Sequence, residues 1–340
     1  MRVAVTGANG HVGGNLVRAL LAAGHAVRVL VHHRAEALDG LAVERLRGDV
    51  DSPAALRELF AGVDVAYHLA AQVSVDGDHG GRVQRVNVEG TRNVADAALA
   101  AGVRRLVHMS SVHAFVTAPG RPITEASPRA EGPGHAAYDR SKAAGEEQVR
   151  QAIARGLDAV ILNPTGVLGR EDFRPSRMGR FFLLLYRRRL PALVEGGFDW
   201  VDVRDVAAAA LAAAERGRTG ENYLLSGSYA TVPELAALAA RVTGVPAPRL
   251  TTPRWLARAS APAALLAARA LRQDPLFTPE AVLTLGAEPR VSHAKATAEL
   301  GYAPRPLADT VGDVYRSFRD RGVIPRAAPL MLTAEGLAAP

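Results

Sequence analysis

Residues Met1 to Gly14 read MRVAVTGANGHVGG, and they restrict the fold more tightly than any other stretch of the chain. Arg2-Val3-Ala4-Val5 is a short apolar run rich in β-branched residues, and Thr6-Gly7-Ala8-Asn9-Gly10-His11-Val12-Gly13 follows it without a spacer. From Asn15 to Ala23 the apolar residues Leu16, Val17, Leu20 and Leu21 recur at helical spacing until Gly24, a natural helix stop. A strand, a glycine turn and a helix therefore arrive in the order a dinucleotide needs. Gly7 permits the tight turn, Gly10 lets the backbone approach a pyrophosphate, and Gly13 lets the helix lie close to the strand. The helix N-terminus then offers unpaired N–H groups to the anion. A glycine-rich turn without a ligand is the competing reading, and the strand before and helix after the turn argue against it.

A chain of 340 residues with 48% hydrophobic content has enough material for a large core and suggests two domains. It contains no cysteine, which excludes disulfides, thiolate metal sites and a cysteine nucleophile. A strand that begins at residue 2 leaves no room for a signal peptide ahead of it. The most apolar stretches, Phe181 to Tyr186, Val206 to Ala214 and Ala261 to Ala267, fall far short of the ~20 residues a membrane span requires. These features predict a soluble, cytoplasmic protein. The net charge of +7 comes from scattered arginines, with Arg187-Arg188-Arg189 the only tight run, so a solvated surface is favoured over a nucleic-acid site. Of the 41 basic side chains, only Lys142 and Lys295 are lysines. A lysine that persists against such a bias suggests a task that a guanidinium cannot perform.

Ala26 to Val31 reads as a second strand, ending in His32-His33-Arg34. That end lies about twenty residues beyond the glycines, where an NAD-specific fold places an acidic residue on the ribose. Here there are three basic or potentially basic side chains instead, which favours NADP with NAD as the alternative, although Glu36 and Asp39 lie nearby. Leu46 to Val50 is a third strand end carrying Asp49, followed by Ser52 and Pro53 at the start of a helix from Ala54 to Phe60. Val63 to Ala71 is a fourth strand, whose small exit residues Ala70 and Ala71 leave room for a ring or a ribose. A helix to about Ala100 and a fifth strand, Arg105 to Met109, deliver Ser110 and Ser111. Tyr138 and Lys142 stand at i and i+4 of a helix running to about Arg155, on one face, and Ala159 to Pro164 is strand six. Ligands bind outside the carboxyl ends of such strands, so the glycine turn, Ala71, Ser111 and Pro164 are expected to line one crevice. Beyond Gly169 the pattern turns mainly helical. Arg170 to Tyr186 holds an apolar aromatic helix, Gly196 to Val206 a strand entering an alanine-rich helix, and Asn222 to Ser226 a further strand. Pro233 to Thr243, Trp255 to Leu271 and Ala308 to Arg319 read as helices. The expected architecture is α/β, a doubly wound parallel sheet over 1–169 plus about 203–228, with a smaller substrate lobe over about 170–202 plus 229–325 and a loose tail over 326–340.

Thr6-Gly7-x-x-Gly10-x-x-Gly13, Ser111 and Tyr138-x-x-x-Lys142 together resemble the short-chain dehydrogenase/reductase superfamily in its extended, Rossmann-type form. The His68-Leu69-Ala70-Ala71 strand end, Asn163-Pro164 and Asp202-Val203-Arg204-Asp205-Val206 look most like its dihydroflavonol-reductase and nucleotide-sugar epimerase/dehydratase branches, over about residues 1 to 320. The resemblance implies Ser111, Tyr138 and Lys142 as catalytic residues, with Ser110 the fallback for the serine. It implies a cofactor along Thr6, Gly7, Asn9, Gly10, His11, Val12 and Gly13, then His32, His33 and Arg34, Asp49 and Val50, Leu69, Ala70 and Ala71, Tyr138 and Lys142, and Asn163 with Pro164. Ser111, His113, Tyr138 and Thr165 would meet the substrate. Tyrosine is a poor acid or base at neutral pH, with a reference pKa of about 10. A nearby ammonium and a nicotinamide cation are expected to lower that value, so that Tyr138 passes a proton to or from a substrate oxygen. Lys142 would hold Tyr138 and the ribose hydroxyls, and Ser111 the developing oxyanion.

Three functions are compatible with these residues. The first is an NADP-dependent reductase or dehydrogenase acting on the carbonyl or alcohol of a mostly apolar small molecule. The second is a nucleotide-sugar epimerase that retains NAD, and the third a non-catalytic dinucleotide sensor. The family's dehydratases carry an Asp-Glu pair after the serine, and Val112-His113 departs from it. Phe181, Phe182, Leu183, Leu184, Phe198, Trp200, Trp255 and Phe277 motivate the apolar substrate, although most of them individually read as lobe core. Arg187 to Arg189, Arg249 and Arg254 are the cations available to a diphosphate, no metal is expected among the ten histidines, and a homodimer is the expected assembly.

Overall fold

The computed structural model describes residues 1–74, 77–118, 120–260, 279–286 and 290–331. Its first half runs β1 (Arg2–Thr6), α1 (His11–Ala22), β2 (Ala26–Val31), β3 (Glu44–Arg47), α2 (Pro53–Phe60), β4 (Val65–His68), α3 (Arg82–Gln84), a π turn over Arg85–Glu89, α4 (Gly90–Ala100), β5 (Arg105–Met109), α5 (Ala137–Ala154) and β6 (Ala159–Pro164). The second half runs β7 (Gly166–Leu168), α6 (Arg177–Tyr186), β8 (Leu193–Val194), β9 (Gly197–Asp202), α7 (Val203–Arg216), β10 (Asn222–Leu225), β11 (Ser228–Thr231), α8 (Val232–Thr243), β12 (Thr251–Thr252), α9 (Pro279–Gly286), α10 (Ala294–Leu300) and α11 (Leu307–Asp320).

Seven strands form one parallel sheet in the order β3-β2-β1-β4-β5-β6-β10. Alternation along the strands sends side chains to opposite faces, and both faces are covered, which is why these strands read as continuous apolar runs. Val3, Val5, Val29, Val107 and Leu162 pack with α1 and α7, whereas Ala4, Leu30, Ala66, Leu106 and Ile161 pack with α2, α4 and α5. Each large side chain buried in this way contributes roughly 1.5–3 kcal/mol of transfer free energy. The strand order reverses between β1 and β4, so a crevice opens at their carboxyl ends.

The smaller lobe has its own three-stranded sheet, β11-β9-β7, and a separate apolar core from α6, α8 and α11, including Phe181, Phe182, Leu235, Tyr315 and Phe318. Three boundaries differ from the sequence reading. The third strand is Glu44–Arg47, with the Gly48 N–H still donating to the Val31 carbonyl at 3.0 Å; Asp49 and Val50 belong to the turn into α2, where Asp49 accepts from the Val50 and Ser52 N–H groups at 2.7 and 3.1 Å. Gly166–Leu168 pairs with β9, not with the large sheet. Residues 326–331, expected to be loose, are docked: Ala328 is buried, Leu330 packs on the lobe core, and the Met331 N–H donates to the Val242 carbonyl at 2.8 Å. Residues 332–340, Phe277 and the expected helix beyond Ser260 lie outside the described residues.

Candidate active site

The glycine turn has the backbone that its composition demands. Gly7 has φ +72°, and a Cβ there would meet the Ala70 amide nitrogen at 2.5 Å, so the ends of β1 and β4 approach to a distance only glycine allows. A Cβ on Gly13 would fall 2.1 Å from the Gly7 carbonyl oxygen, so α1 folds directly back on the turn. α1 begins at His11 with Gly10 as an N-cap that offers no side-chain acceptor, and its first-turn N–H groups are left for an anion.

Thr6 does not face this crevice. Its buried hydroxyl accepts from the Ala70 N–H at 3.3 Å and lies 2.7 Å from His68 Nδ1. His68 Nε2 lies 3.1 Å from Thr91 Oγ1, whose proton is donated to the Asn87 carbonyl at 2.7 Å. Nε2 is therefore the protonated nitrogen of His68, and Nδ1 accepts from Thr6. Burial, with Lys142 adding to it, lowers the His68 pKa to about 3 and keeps the ring neutral. Asn87, in the π turn, continues the chain by donating to Ser141 Oγ at 2.8 Å, and Ser141 donates to the Tyr138 carbonyl at 2.7 Å. A line of hydrogen bonds thus joins the glycine turn to the start of α5. Only a histidine inside an apolar strand marked this relay in the sequence.

Tyr138, in the first turn of α5, opens into a cleft of about 620 Å³ that runs from Gly7, Gly10, Val12 and Gly13 past Leu69, Ala71 and Pro164 to Phe198 and Trp200. Ser111 and Lys142 line the same cleft, so the structure brings the proposed triad together. Ser110 lines it too, and among the described residues its buried hydroxyl has no hydrogen-bond partner, whereas Ser111 Oγ accepts from the His113 N–H at 3.2 Å. The electrostatics differ from expectation. Burial pushes the Tyr138 pKa up to about 12, outweighing the Ser111 hydrogen bond. Lys142 is buried with Nζ donating to the Met109 carbonyl at 2.9 Å, and desolvation lowers its pKa to about 8 despite the nearby Glu146 carboxylate. Desolvation is the main cause of the upward shift at Tyr138, and the neighbouring Asp139 carboxylate adds to it.

Asn163 is also placed differently. It is fully buried, lines no part of the cleft, and donates to the Ser111 carbonyl at 2.9 Å and to Glu146 at 2.6 Å. Pro164 and Thr165 do line the cleft, with Thr165 donating to Asp199 at 2.6 Å. His11 reaches over the turn to the Arg170 carbonyl at 3.0 Å. A second cavity of about 340 Å³ continues beyond the glycines, lined by Asn9, His32, His33, Arg34, Asp49, Val50 and Ala70 as expected, and by Arg82 and Arg174, which sequence reasoning missed. Neither arginine lies within thirty residues of the β2 end, so no local pattern signals them. Glu36 pairs with Asn9 at 3.3 Å and Asp39 with Arg45 at 3.5 Å. Phe181 and Phe182 are core, and Trp255 is 71% exposed.

A crevice at the switch point of a parallel sheet, a glycine turn without side chains and a Ser–Tyr–Lys cluster together define an extended short-chain dehydrogenase/reductase. Residues 3–226 match the NAD dependent epimerase/dehydratase family, and the chain belongs to it. The chain is 40% identical over 332 residues to sterol demethylase protein B of Methylococcus capsulatus, covering 95% of this chain and 100% of that protein. It is 34% identical over 327 residues to a 4-hydroxy-2-methyl-3-oxo-4-farnesyl-3,4-dihydroquinoline-1-oxide ketoreductase of Stigmatella aurantiaca, covering 90% and 92%. Its fold superposes on a nucleoside-diphosphate-sugar epimerase from Pseudomonas aeruginosa with a TM-score of 0.77 at 28% identity, covering 95% and 98%. The protein is therefore an enzyme of the extended type, an oxidoreductase or an epimerase.

Proposed function

We propose that the enzyme is an NADPH-dependent reductase, also able to run in reverse, that converts a ketone or aldehyde on a mostly apolar small molecule into an alcohol. The observation that carries this reading is that Ser111, Tyr138 and Lys142 line one cleft whose far wall is Met178, Phe198 and Trp200. A bound nicotinamide supplies the hydride. Tyr138 donates its proton to the carbonyl oxygen, Ser111 steadies the negative charge growing there, and Lys142 positions the ribose and stabilises the phenolate left behind. A relative named as a ketoreductase for a farnesylated quinoline supports the apolar substrate.

Arg34, Arg82 and Arg174 in one cavity beyond the glycines support a 2′-phosphate, since a planar guanidinium meets phosphate oxygens through paired hydrogen bonds. Asp39 is paired elsewhere, with Arg45, whereas Glu36 accepts from Asn9 at the same cavity and offsets part of that positive field. The nucleotide-sugar alternative rests on the epimerase fold neighbour. Against it, Arg187, Arg188, Arg189, Arg249 and Arg254, the cations available to a diphosphate, do not line the cleft, although Arg177 does. A sensor has no use for the Ser111–Tyr138 pair.

Two measurements on one preparation test the reading. Any copurifying dinucleotide is released and identified, and NADPH and NADH are titrated by fluorescence against the parent, Arg174→Ala and Tyr138→Phe. The expected result is a largely empty enzyme, a preference for NADPH that Arg174→Ala cuts by about tenfold, and a Tyr138→Phe variant that binds NADPH but loses ~10²- to 10⁴-fold in turnover. Near-stoichiometric bound NAD, with no net change in nicotinamide absorbance on adding substrates, would instead identify an epimerase.

A further inference from the structure

Two segments of the small lobe share a one-sided charge. Residues 174–194 contain six arginines and residues 235–260 four, with no aspartate or glutamate in either. The structure joins their ends: the Leu193 N–H donates to the Leu250 carbonyl at 2.9 Å, and a cavity of about 190 Å³ is walled by Arg188 and Leu190 from one segment and by Pro246 and Pro248 from the other. Arg187, Arg188, Arg189, Arg249 and Arg258 are exposed, and among the described residues their guanidinium groups have neither a hydrogen bond nor an ion pair. Glu195, at the edge of this face, accepts from the Arg254 N–H at 3.3 Å. The same face is apolar, with Leu250 69% exposed, Trp255 71% and Leu256 43%. Residues 254–260 are helical, and Ala257 is buried with Val194 and Val282. At 100° per residue the side opposite Ala257 therefore belongs to Trp255, with Arg258 and Leu256 on its flanks. An indole turned away from the core and set among unpaired cations is placed to meet a partner.

We propose that this face docks on an anionic bilayer, with Leu250, Trp255 and Leu256 entering the boundary between headgroups and acyl chains and the arginines lying on lipid phosphates. Charge selects the occupant. A second copy of the chain on a two-fold axis would set these arginines against their own equivalents, in segments that hold no carboxylate to meet them. A nucleic acid would satisfy the cations and stack on the indole, but it has no apolar layer for the two leucines. An anionic bilayer offers a charged layer and an apolar one at the depths these side chains need. The face also adjoins the cleft. Arg177 and Met178, at the start of α6, line the cleft, and Arg187 follows the other end of that ten-residue helix, about 15 Å away. Thr284 of α9 lines the cleft too, and Arg254 donates to the Gly286 carbonyl two residues further on at 2.9 Å. Docking of this kind holds the enzyme at a membrane surface without a spanning helix, and it stands independently of the reaction assigned to the cleft.

The test floats the full chain with vesicles of phosphatidylcholine alone and of phosphatidylcholine mixed with phosphatidylglycerol, and follows tryptophan fluorescence. Of the two tryptophans Trp200 is buried, so a blue shift on adding vesicles reports Trp255. The expected result is binding to the anionic vesicles with a blue shift, about tenfold weaker binding to the neutral ones, and loss of the difference as added salt screens the charges. Arg188→Ser combined with Arg189→Ser is expected to weaken binding by about 25-fold, about fivefold for each cation. Trp255→Ser is expected to weaken it by about tenfold and to abolish the blue shift. All three positions are exposed, so both variants are expected to keep the parent's unfolding temperature. Absent binding, equal binding to the two kinds of vesicle, or an affinity that both variants leave intact overturns the proposal. So does a concentration-dependent dimer that Trp255→Ser dissolves, which would make the face a contact between copies, or tighter binding to a single-stranded oligonucleotide than to the anionic vesicles.

Discussion

Lys142 sits at the point where catalysis and stability oppose each other. Its ammonium is buried, with the Met109 carbonyl at 2.9 Å, and desolvation brings the pKa to about 8 from an ordinary 10.5. Between those two values the unfolded chain binds a proton that the folded chain has released, so stability rises with pH through that window and is lost again as pH falls from 10.5 to about 8. Replacing the lysine with an apolar chain of similar length removes this dependence. Lys142→Met is therefore expected to be inactive, to unfold at higher urea than the parent at pH 7, and to lose that advantage by pH 10.5, with a span on the order of 3 kcal/mol. An unchanged pH profile in urea unfolding would contradict the burial argument. The rarity of lysine marked this residue in the sequence, but the sign of its pKa shift and that of Tyr138 depends on depth, which no spacing reports.

At the scale of elements, α5 does more than carry Tyr138 and Lys142 on one face. One turn beyond Lys142, Glu146 is fully buried and is met by Arg129 at 2.7 Å, Asn163 at 2.6 Å and Asn222 at 3.0 Å, with Arg150 at 3.4 Å. The carboxylate thus clamps α5 to β6 and β10, and through Asn163 it reaches the Ser111 carbonyl. Glu146→Leu would leave two amides and two guanidinium groups facing an apolar side chain, and breaking a buried ion pair in this way costs about 3 kcal/mol. The expected outcome is a lower urea midpoint together with a reduced kcat, because the strand end that bears Ser111 loses its tether; Glu146→Gln, which keeps two polar atoms, is expected to lose less of both. The element itself was legible, as were β1, α1, β5, β6 and β10, because apolar periodicity and glycine stops are local signals. Asn163 read as a cofactor residue because its strand-end position is local too, whereas its side-chain direction is set by the buried carboxylate across from it. The third strand ended early because Asp49 accepts from the Val50 and Ser52 N–H groups and turns the chain into α2.

Across the whole molecule, the segment from Arg170 to Ser176 straps the small lobe over the start of α1. His11 and Asn15 meet the Arg170 carbonyl at 3.0 and 3.1 Å, and the Glu171 N–H donates to Ser317 at 2.9 Å. Arg321 donates to the Asp172 and Phe173 carbonyls at 2.8 and 3.1 Å, and the Phe173 ring lies between the guanidinium groups of Arg18 and Arg321 at 5.0 and 4.5 Å. Arg174, on the same strap, reaches the cavity beyond the glycines. Arg321→Ala removes both carbonyl partners and half of that stack, so it is expected to lower stability by about 1–3 kcal/mol. It is also expected to weaken NADPH several-fold, read as a smaller rise in unfolding temperature on adding the nucleotide; a full NADPH-induced rise would separate the strap from the cofactor. What the sequence determined by itself is what neighbouring residues decide together: the strand–glycine–helix opening, the alternation of sheet elements, the Tyr138–Lys142 face and the basic end of β2. The tertiary structure decided what distant segments decide: Arg82 and Arg174 joining Arg34, the Thr6–His68–Thr91–Asn87 relay, Asp139 orienting His113, and the burial that raises the Tyr138 pKa. Hydrophobic periodicity and backbone conformation act over one turn or a few strand residues, but desolvation and side-chain pairing depend on what chain closure brings to within a few ångströms, and that is written nowhere in local order.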